Sequence, residues 1–286
     1  MRLTKAEKQK IVAGLIKTPE GRQEIAASLV EPLRKYRDYE SVGRRAFMID
    51  QLADGALPYY DKDPEFKAYT VGEEGQDPIE VVKGDRVFVP LREIATNPTI
   101  PMTQIKARKY DVENRVQVKS KSELFREEDE MIFSLFSTIA NKADAVNTPV
   151  VVAEALMTID HFSEAMGQIE SHGNVRCANI FMNPRHMKTM RKIGKDYFEP
   201  ATTSELLKTG QMGDIFGSVI HTSAVVPKDE IYFTSEVEYF GIFVEAIELT
   251  VIPADVPAER KIGWSVFEQV GALVNSSQVL AIIKVG

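Results

Sequence analysis

One long polar stretch, residues 58–118 of the 286-residue chain, limits most strongly what this sequence can fold into. It contains VGEEGQDPIEVVKGDRVFVP (residues 71–90), in which Lys83-Gly84-Asp85 is a turn signal before a run rich in β-branched residues. The pattern predicts a β-hairpin. Hardly any continuous apolar run follows before residue 118, so the stretch has little material for a core of its own. The residues alone do not say what this β excursion packs against.

The amino-terminal part of the chain differs from the rest in charge. Residues 1–45 hold 11 Lys/Arg against 6 Asp/Glu, whereas the whole chain has a net charge of -7, which disfavours nucleic-acid binding on average. Thr4 and Glu7 have capping-box spacing, and Thr18-Pro19 starts a second helix. Large apolar residues are few here, which predicts a helical, basic arm that packs on a partner.

The strongest helix pattern is SELFREEDEMIFSLFSTIANKA, which follows the β excursion. Ser122 is the predicted cap, and one apolar stripe is expected to face the core: Phe125, Ile132, Leu135, Phe136 and Ile139. We interpret the acids at 127–130 as complements of the helix dipole in its first turns, in preference to a metal site. A second helix is predicted for residues 152–171, with a left-handed glycine cap at Gly173.

The rest of the chain reads as a buried strand, a short helix and then mostly β-structure. RCANIFM predicts a strand in which Cys177, the single cysteine, is a small apolar residue without a disulfide partner. Asn183-Pro184 marks a helix start, and Gly194 its end. Five later runs are strand candidates: DIFGSVIHTS, EIYFTS, YFGIFVEAIELTVIP, GWSVFEQVGALV and QVLAIIKV.

The search for chemistry finds no catalytic, cofactor or metal motif. Phosphate-binding loops, dinucleotide glycine patterns, the serine elbow and the zinc helix are all missing from the sequence. His161 and Glu164 lie three residues apart on one helix face, but that face is polar. A soluble enzyme with a non-local site around these two residues is the alternative from another functional class. No apolar run is long enough to cross a bilayer, and no secretory segment follows the first residues, which predicts synthesis in the cytoplasm.

The order of these parts resembles the major capsid protein of tailed bacteriophages, the Hong Kong 97-type fold that encapsulin shell proteins share. FREEDEMIFSLFSTI looks like the family's spine helix, and ANIFMNPRHMKTMRKIG looks like the strand, turn and helix of its axial domain. GSVIHTSAVVPKDEIYF and FEQVGALVNSSQVLAIIKV look like its closing strands. The resemblance covers nearly the whole chain by order of elements. It implies an α+β fold with a helical arm, an extended β-hairpin loop, a long spine helix, and peripheral and axial domains.

The resemblance also implies a domain organisation. The arm would be residues 1–45, and the extended loop with its flanks residues 46–118. The peripheral domain would combine residues 119–172 and 236–286, with the axial domain inserted at 173–235. In this family the extended loop lies over a neighbouring subunit, which makes Lys83, Arg86 and Phe88 the expected inter-subunit contacts.

The implied function is a major capsid protein that assembles into hexamers and pentamers around double-stranded DNA without sequence-specific binding. Scaffolding, portal and decoration proteins are further expected partners, a membrane is not, and the expected place is the virion capsid, assembled in the host cytoplasm. An encapsulin-type shell around a cargo enzyme remains the alternative, although the length of residues 58–118 favours the phage. The sequence departs from some relatives: it shows no long amino-terminal scaffolding segment, and Lys83 has no identifiable crosslinking partner.

Overall fold

A computed structural model of the chain describes residues 39–53, 55–61, 86–103, 112–152, 157–190 and 214–286. The secondary structure below belongs to the unit Glu40–Gly286. The predictions for the arm helices, the Lys83-Gly84-Asp85 turn and Gly194 lie outside the described residues. Among these residues, no helix combines the length and apolar composition that spanning a bilayer requires.

The described strands are numbered here in chain order. They are β1 (Met48–Gln51), β2 (Tyr59–Asp61), β3 (Arg86–Phe88), β4 (Arg92–Thr96), β5 (Thr99–Pro101), β6 (Val150–Val152), β7 (Cys177–Met182), β8 (Asp214–Ile215), β9 (Ser218–Thr222), β10 (Glu230–Ser235), β11 (Gly241–Pro253), β12 (Lys261–Val274) and β13 (Leu280–Val285). The α-helices whose bounds lie within the described residues are α1 (Val112–Ala140), α2 (Ile159–Gly173) and the short α3 (Val237–Phe240).

A five-stranded sheet is built around the long antiparallel pair β11 and β12. Its order is β1-β11-β12-β4, and β5 pairs with the start of β12. The edge strand β1 runs parallel to β11, with Met48 opposite Ile242. Because β1 pairs only with the first part of β11, the second part of β11 extends beyond it.

A six-stranded sheet with the order β6-β13-β10-β7-β9-β8 forms the second layer. Tyr232 of β10 pairs with Phe181 of β7, and these two side chains pack with α1 on one face of the sheet. Their neighbours Phe233 and Ile180 point to the other face, where they pack in the cluster that contains Phe162 of α2. Both faces are therefore covered, which explains why the last three residues of β7, Ile180 to Met182, are all apolar and buried.

The helix α1 begins earlier than the sequence pattern predicted. It starts at Val112, so residues 112–118 of the supposed β excursion are helical and Ser122 is a buried residue inside the helix, not its cap. The valines in VENRVQVKSK favour a strand, but Glu, Arg, Gln and Lys around them are good helix formers and the helix continues into the packed stripe. The acids at 127–130 consequently lie in the middle of α1, and the dipole interpretation is wrong.

The predicted apolar stripe of α1 is confirmed in part. Ile132 and Phe136 are fully buried, whereas Phe125, Leu135 and Ile139 are only half-buried. Leu124 and Phe133 take part in the core instead. The stripe is shifted because α1 contacts both sheets.

The second predicted helix is shorter than expected. Residues 150–152 form strand β6, parallel to β13, because three successive valines favour extended backbone. Helix α2 begins at Ile159, where the Thr158 side chain and the His161 ring form a reciprocal cap. It ends at Gly173, but the left-handed residue is Asn174, with φ of 52°, a conformation that asparagine tolerates.

The strand and turn after α2 follow the prediction. Cys177 is buried at the start of β7, and the Asn183 side chain caps the following turn by accepting a hydrogen bond from the Arg185 amide at 3.1 Å. DIFGSVIHTS, predicted as one strand, is instead the hairpin of β8 and β9. Phe216 and Gly217 form its two-residue turn, both with positive φ.

The closing strands bear on the expected domains. Strand β13 pairs with β10 and β6, so it shares a sheet with β7. It thus joins a segment expected in the peripheral domain to one expected in the axial domain. The boundaries at 173 and 235 stay predictions.

Candidate inter-subunit surface and arm anchor

Strands β2 and β3 form a two-stranded ribbon at the base of the predicted loop. Tyr59 pairs with Phe88, and Asp61 with Arg86. The rings of Tyr59 and Phe88 pack with centroids 5.3 Å apart, yet both side chains remain about half exposed, at 52% and 51%. Leu57, just before the ribbon, is 68% exposed. The ribbon thus presents an apolar patch that described parts of its own chain do not cover.

Arg86 and Asp61 form an ion pair across the ribbon. Its nitrogen and oxygen are 3.0 Å apart, and the two side chains are 73% and 76% exposed. An ion pair this exposed adds little to the stability of the subunit. Both charges are therefore available to a partner. Lys83 lies outside the described residues, so its contact stays a prediction.

One hydrogen bond ties the ribbon to the five-stranded sheet. The Tyr60 hydroxyl donates to the Asp50 carboxylate of β1. Burial and this bond to a carboxylate raise the pKa of Tyr60. The ribbon is held at its base while its outer face stays exposed.

A second element of interest is residues 41–46, at the end of the predicted arm, and we call it the arm anchor. The Asp129 carboxylate of α1 accepts three hydrogen bonds from it: from the Ser41 hydroxyl at 2.8 Å, the Val42 amide at 3.0 Å and the Gly43 amide at 3.0 Å. A Cβ on Gly43 would lie 2.8 Å from an Asp129 oxygen. Only glycine permits this close approach.

Arg44 of the arm anchor is surrounded by three carboxylates. Its guanidinium donates twice to Glu128 at 2.6 Å, and it also pairs with Glu245 and, at 3.2 Å, with Glu268. The central carbon of the Arg44 guanidinium lies 4.9 Å from the centre of the Phe243 ring. Burial lowers the pKa of Arg44, but the bond to Glu128 and the three negative charges outweigh burial and raise the pKa. We call Arg44, Glu128, Glu245 and Glu268 the Arg44 cluster.

Burial is the largest influence on the pKa values of Glu128 and Glu268 in this cluster. Glu128 is fully buried and Glu268 is 1% exposed. Burial raises the pKa of Glu128 to about 7 although Arg44 opposes the change. Burial also raises the pKa of Glu268. Glu128 of α1, Glu245 of β11 and Glu268 of β12 thus converge on one side chain of the arm anchor.

Arg45 points to the six-stranded sheet. Its guanidinium nitrogen lies 3.3 Å from Nδ1 of His221, and Nε2 of His221 lies 3.1 Å from the Asn179 side-chain oxygen. Because arginine only donates, Nδ1 accepts, and Nε2 carries the proton and donates to Asn179. Burial and the charge of Arg45 lower the pKa of His221 to about 4. The arm anchor therefore contacts both sheets.

The sequence carried a signal for this cluster that the dipole interpretation passed over. Glu128 lies four residues from Leu124 and from Ile132, so it falls on the buried face of α1. Glu268 alternates with Val266 and Val270 on the buried face of β12. An acidic residue whose spacing places it on an apolar face is expected to be buried, and a buried carboxylate needs a cation beside it.

Of the two residues around which an enzyme site was considered, His161 caps a helix. His161 Nδ1 accepts a hydrogen bond from the Thr158 amide at 3.1 Å, and Glu164 is exposed. Burial raises the pKa of Cys177 to about 12, which makes its thiol a poor nucleophile. In the described part of the chain, no three His, Cys, Asp or Glu residues are placed to hold a metal ion.

Comparisons by sequence and by structure give different results. No family model and no curated protein matches the chain. Solved structures, in contrast, match the chain. The capsid of cyanophage P-SCSP1u matches with a TM-score of 0.67 and 11% identity over 88% of this chain and 90% of that one. The capsid of a native GTA particle matches with 0.64 and 15% identity over 88% and 93%.

A shell described as a virus-like particle is also similar. The particle from Pyrococcus furiosus matches with a TM-score of 0.58 and 12% identity, over 92% of this chain and 98% of that one. Identities this low carry information about the fold alone, and the coverage means that the likeness extends over most of the chain. The expected α+β architecture is confirmed: the chain has the Hong Kong 97-type capsid fold.

Proposed function

We propose that this chain is the repeating subunit of a closed protein shell, a major capsid protein of a tailed phage. The carrying observation is the fold: the likeness to capsid subunits extends over nearly the whole of both chains. A subunit of this kind has no substrate site, so a structural role is proposed in preference to an enzyme.

The ribbon of β2 and β3 supports this function by its incomplete burial. Tyr59, Phe88 and Leu57 leave apolar area exposed, and the Arg86–Asp61 pair adds two accessible charges. Apolar area that is left exposed on a two-stranded ribbon gains stability when a second chain covers it. We propose a second copy as that chain, in a head-to-tail contact that closes into rings. Hexamers and pentamers are such rings.

The far half of β11 supports contacts between copies as well. Beyond Glu245 it has no parallel partner from β1, and Ile247, Val251 and Ile252 are each more than 40% exposed. A strand edge with aliphatic side chains readily accepts another chain.

The net charge of the chain supports one kind of content for the proposed shell. A net charge of -7 disfavours adhesion to DNA, which suits a container that is filled with double-stranded DNA. We propose this content in preference to an enzyme cargo, and scaffolding, portal and decoration proteins as further partners. Imaging native particles distinguishes DNA from protein cargo.

The test of the ribbon is assembly of a loop-replaced chain. Residues 72–85 are exchanged for a short Gly-Ser turn, and the variant is compared with wild type by sedimentation velocity and circular dichroism. We expect a folded subunit that no longer forms shells, because long surface loops add little closure entropy and every interface loses the same contact. Intact shells from this variant would contradict the proposal, and an unfolded product would show that the loop belongs to its own core.

A point substitution sharpens this test. Phe88→Ser removes an exposed ring from the ribbon, and Phe216→Ser removes a ring that is 61% exposed in the β8–β9 turn. Both keep the core intact. We expect Phe88→Ser to weaken assembly more than Phe216→Ser; the reverse order would place the main contact outside the ribbon.

A further inference from the structure

We propose that the Arg44 cluster is a proton-operated latch: one proton held by the Glu128 and Glu268 carboxyls keeps the arm anchor closed on α1 and the five-stranded sheet, and release of that proton loosens it. The inference concerns the subunit itself and does not depend on shell formation.

The charge balance of the cluster is the first reason. Three carboxylates face one guanidinium, and two of them, Glu128 and Glu268, are removed from water. Buried charges without a matching counter-charge are costly, and a carboxyl in that position takes up a proton. When one of these two carboxyls is protonated, the negative charge of the other is balanced by Arg44.

An unpaired oxygen is the second, independent reason. Oε1 of Glu268 is buried and accepts no hydrogen bond from a described donor, while the Glu268 carboxyl lies within hydrogen-bond reach of the Glu128 carboxyl, where only a protonated carboxyl can donate. Ionised carboxylate oxygens inside proteins are normally paired, and leaving one unpaired costs more than leaving a neutral carboxyl unpaired. A proton on one of the two carboxyls lets that carboxyl donate a hydrogen bond.

Among the described residues, the charged groups that act on this pair come from the arm anchor, from α1 and from β11. Arg44 comes from the arm anchor, Lys121 and Asp129 from α1, and Glu245 from β11. Asp129 is held by its three donors and adds negative charge next to Glu128. Lys121 lies 5.3 Å from the Phe125 ring and offsets only part of the charge of Glu268.

The direction of the pH effect follows from burial. Burial raises the pKa of Glu128 from 4.5 to about 7 and that of Glu268 in the same direction. A closed latch thus holds a proton that an open one releases, so closure is favoured at low pH and weakens as pH rises from about 4.5 to about 7. The Arg45–His221 contact does not titrate in that range, because the pKa of His221 is about 4.

Hydrogen exchange at the arm anchor measures the latch directly. The amides of Val42 and Gly43 donate to Asp129, so they exchange when the arm anchor opens. The full-length protein is studied at pH 5 and pH 7, in salt where sedimentation shows the same species at both. After correction for intrinsic exchange, we expect the protection of these amides to fall roughly forty-fold, the change for release of one proton with these pKa values.

Two isosteric variants separate the proton from the packing. Glu268→Gln keeps the shape but removes one of the two titrating carboxyls and its negative charge next to Glu128, so the pH dependence of its protection should fall well below that of the wild type. Glu245→Gln also removes a partner of Arg44, but not one of the proposed proton pair, and should keep most of the pH dependence. A pH-independent wild type overturns the proposal without any variant, and so does full wild-type pH dependence in Glu268→Gln.

Discussion

Replacing Phe136 by alanine should reveal how strongly the two sheets depend on α1. The Phe136 side chain is fully buried. Its ring lies 5.8 Å from Phe47 and 5.3 Å from Phe240, next to the five-stranded sheet, and 6.2 Å from Phe181 and 5.6 Å from Tyr232 on the six-stranded sheet. One ring therefore fills the space where both layers meet.

The size of the effect follows from that position. A buried phenylalanine changed to alanine costs about 3–5 kcal/mol of unfolding free energy, and the loss is largest where the surroundings cannot collapse. Here the surrounding rings are fixed on two different sheets, so the cavity persists. We expect a loss of roughly 5 kcal/mol, the upper end of the range.

Urea denaturation followed by circular dichroism, in conditions that keep the subunit unassembled, measures this loss. Ser134→Ala on the exposed side of α1 is the matched control and should change stability by less than about 0.5 kcal/mol. A loss below about 1 kcal/mol for Phe136→Ala would refute the packing described here, because it would mean that the ring is not enclosed.

Three further predictions concern the arm anchor and the link between α1 and β6. Arg44→Met should lower the free energy of unfolding by about 3–5 kcal/mol, because it leaves buried carboxylates without their cation. Thermal melts at pH 5 and pH 8 should show the smaller loss at pH 5, and equal losses at both pH values would contradict the burial of Glu128. Asn147→Ala should lower the free energy of unfolding by about 1–3 kcal/mol in urea denaturation. The Asn147 side-chain amide donates to the Leu280 carbonyl at 2.7 Å and to the Ser277 and Gln278 carbonyls, and unchanged stability would contradict that role. Deleting residues 1–38 should keep the thermal transition of the body but stop or misdirect assembly, and an unfolded product by circular dichroism would place the arm in the core.

Local patterns predicted most of the layered core. Strand β10 has the bounds that EIYFTS suggested, and β7 has the buried run expected of a strand with both faces covered. Ile132 and Phe136 follow the period of a helix whose one face is packed. These signals are reliable because burial acts on neighbouring positions of the same element.

The start of α1 and the role of its acids could not be predicted the same way. Val112 and its neighbours form a helix because the segment continues a helix that packs elsewhere, which local β propensity does not reveal. Glu128 is buried because Arg44, 84 positions away, supplies its cation. A single sequence shows the acid but not the partner that the fold brings to it.

The contact residues are a similar case. Arg86 and Phe88 were expected at an interface, and the described ribbon leaves both exposed, which is compatible with that role. An exposed surface does not name its partner, so the contact stays a prediction until an assembly is measured.

The most direct test of the proposed function is electron microscopy of the purified full-length protein over a series of salt concentrations and pH values. A shell subunit should give closed particles of uniform size, with neighbouring copies in contact through the ribbon of β2 and β3. A monodisperse species of one to four chains under every condition, without any larger assembly, would contradict it.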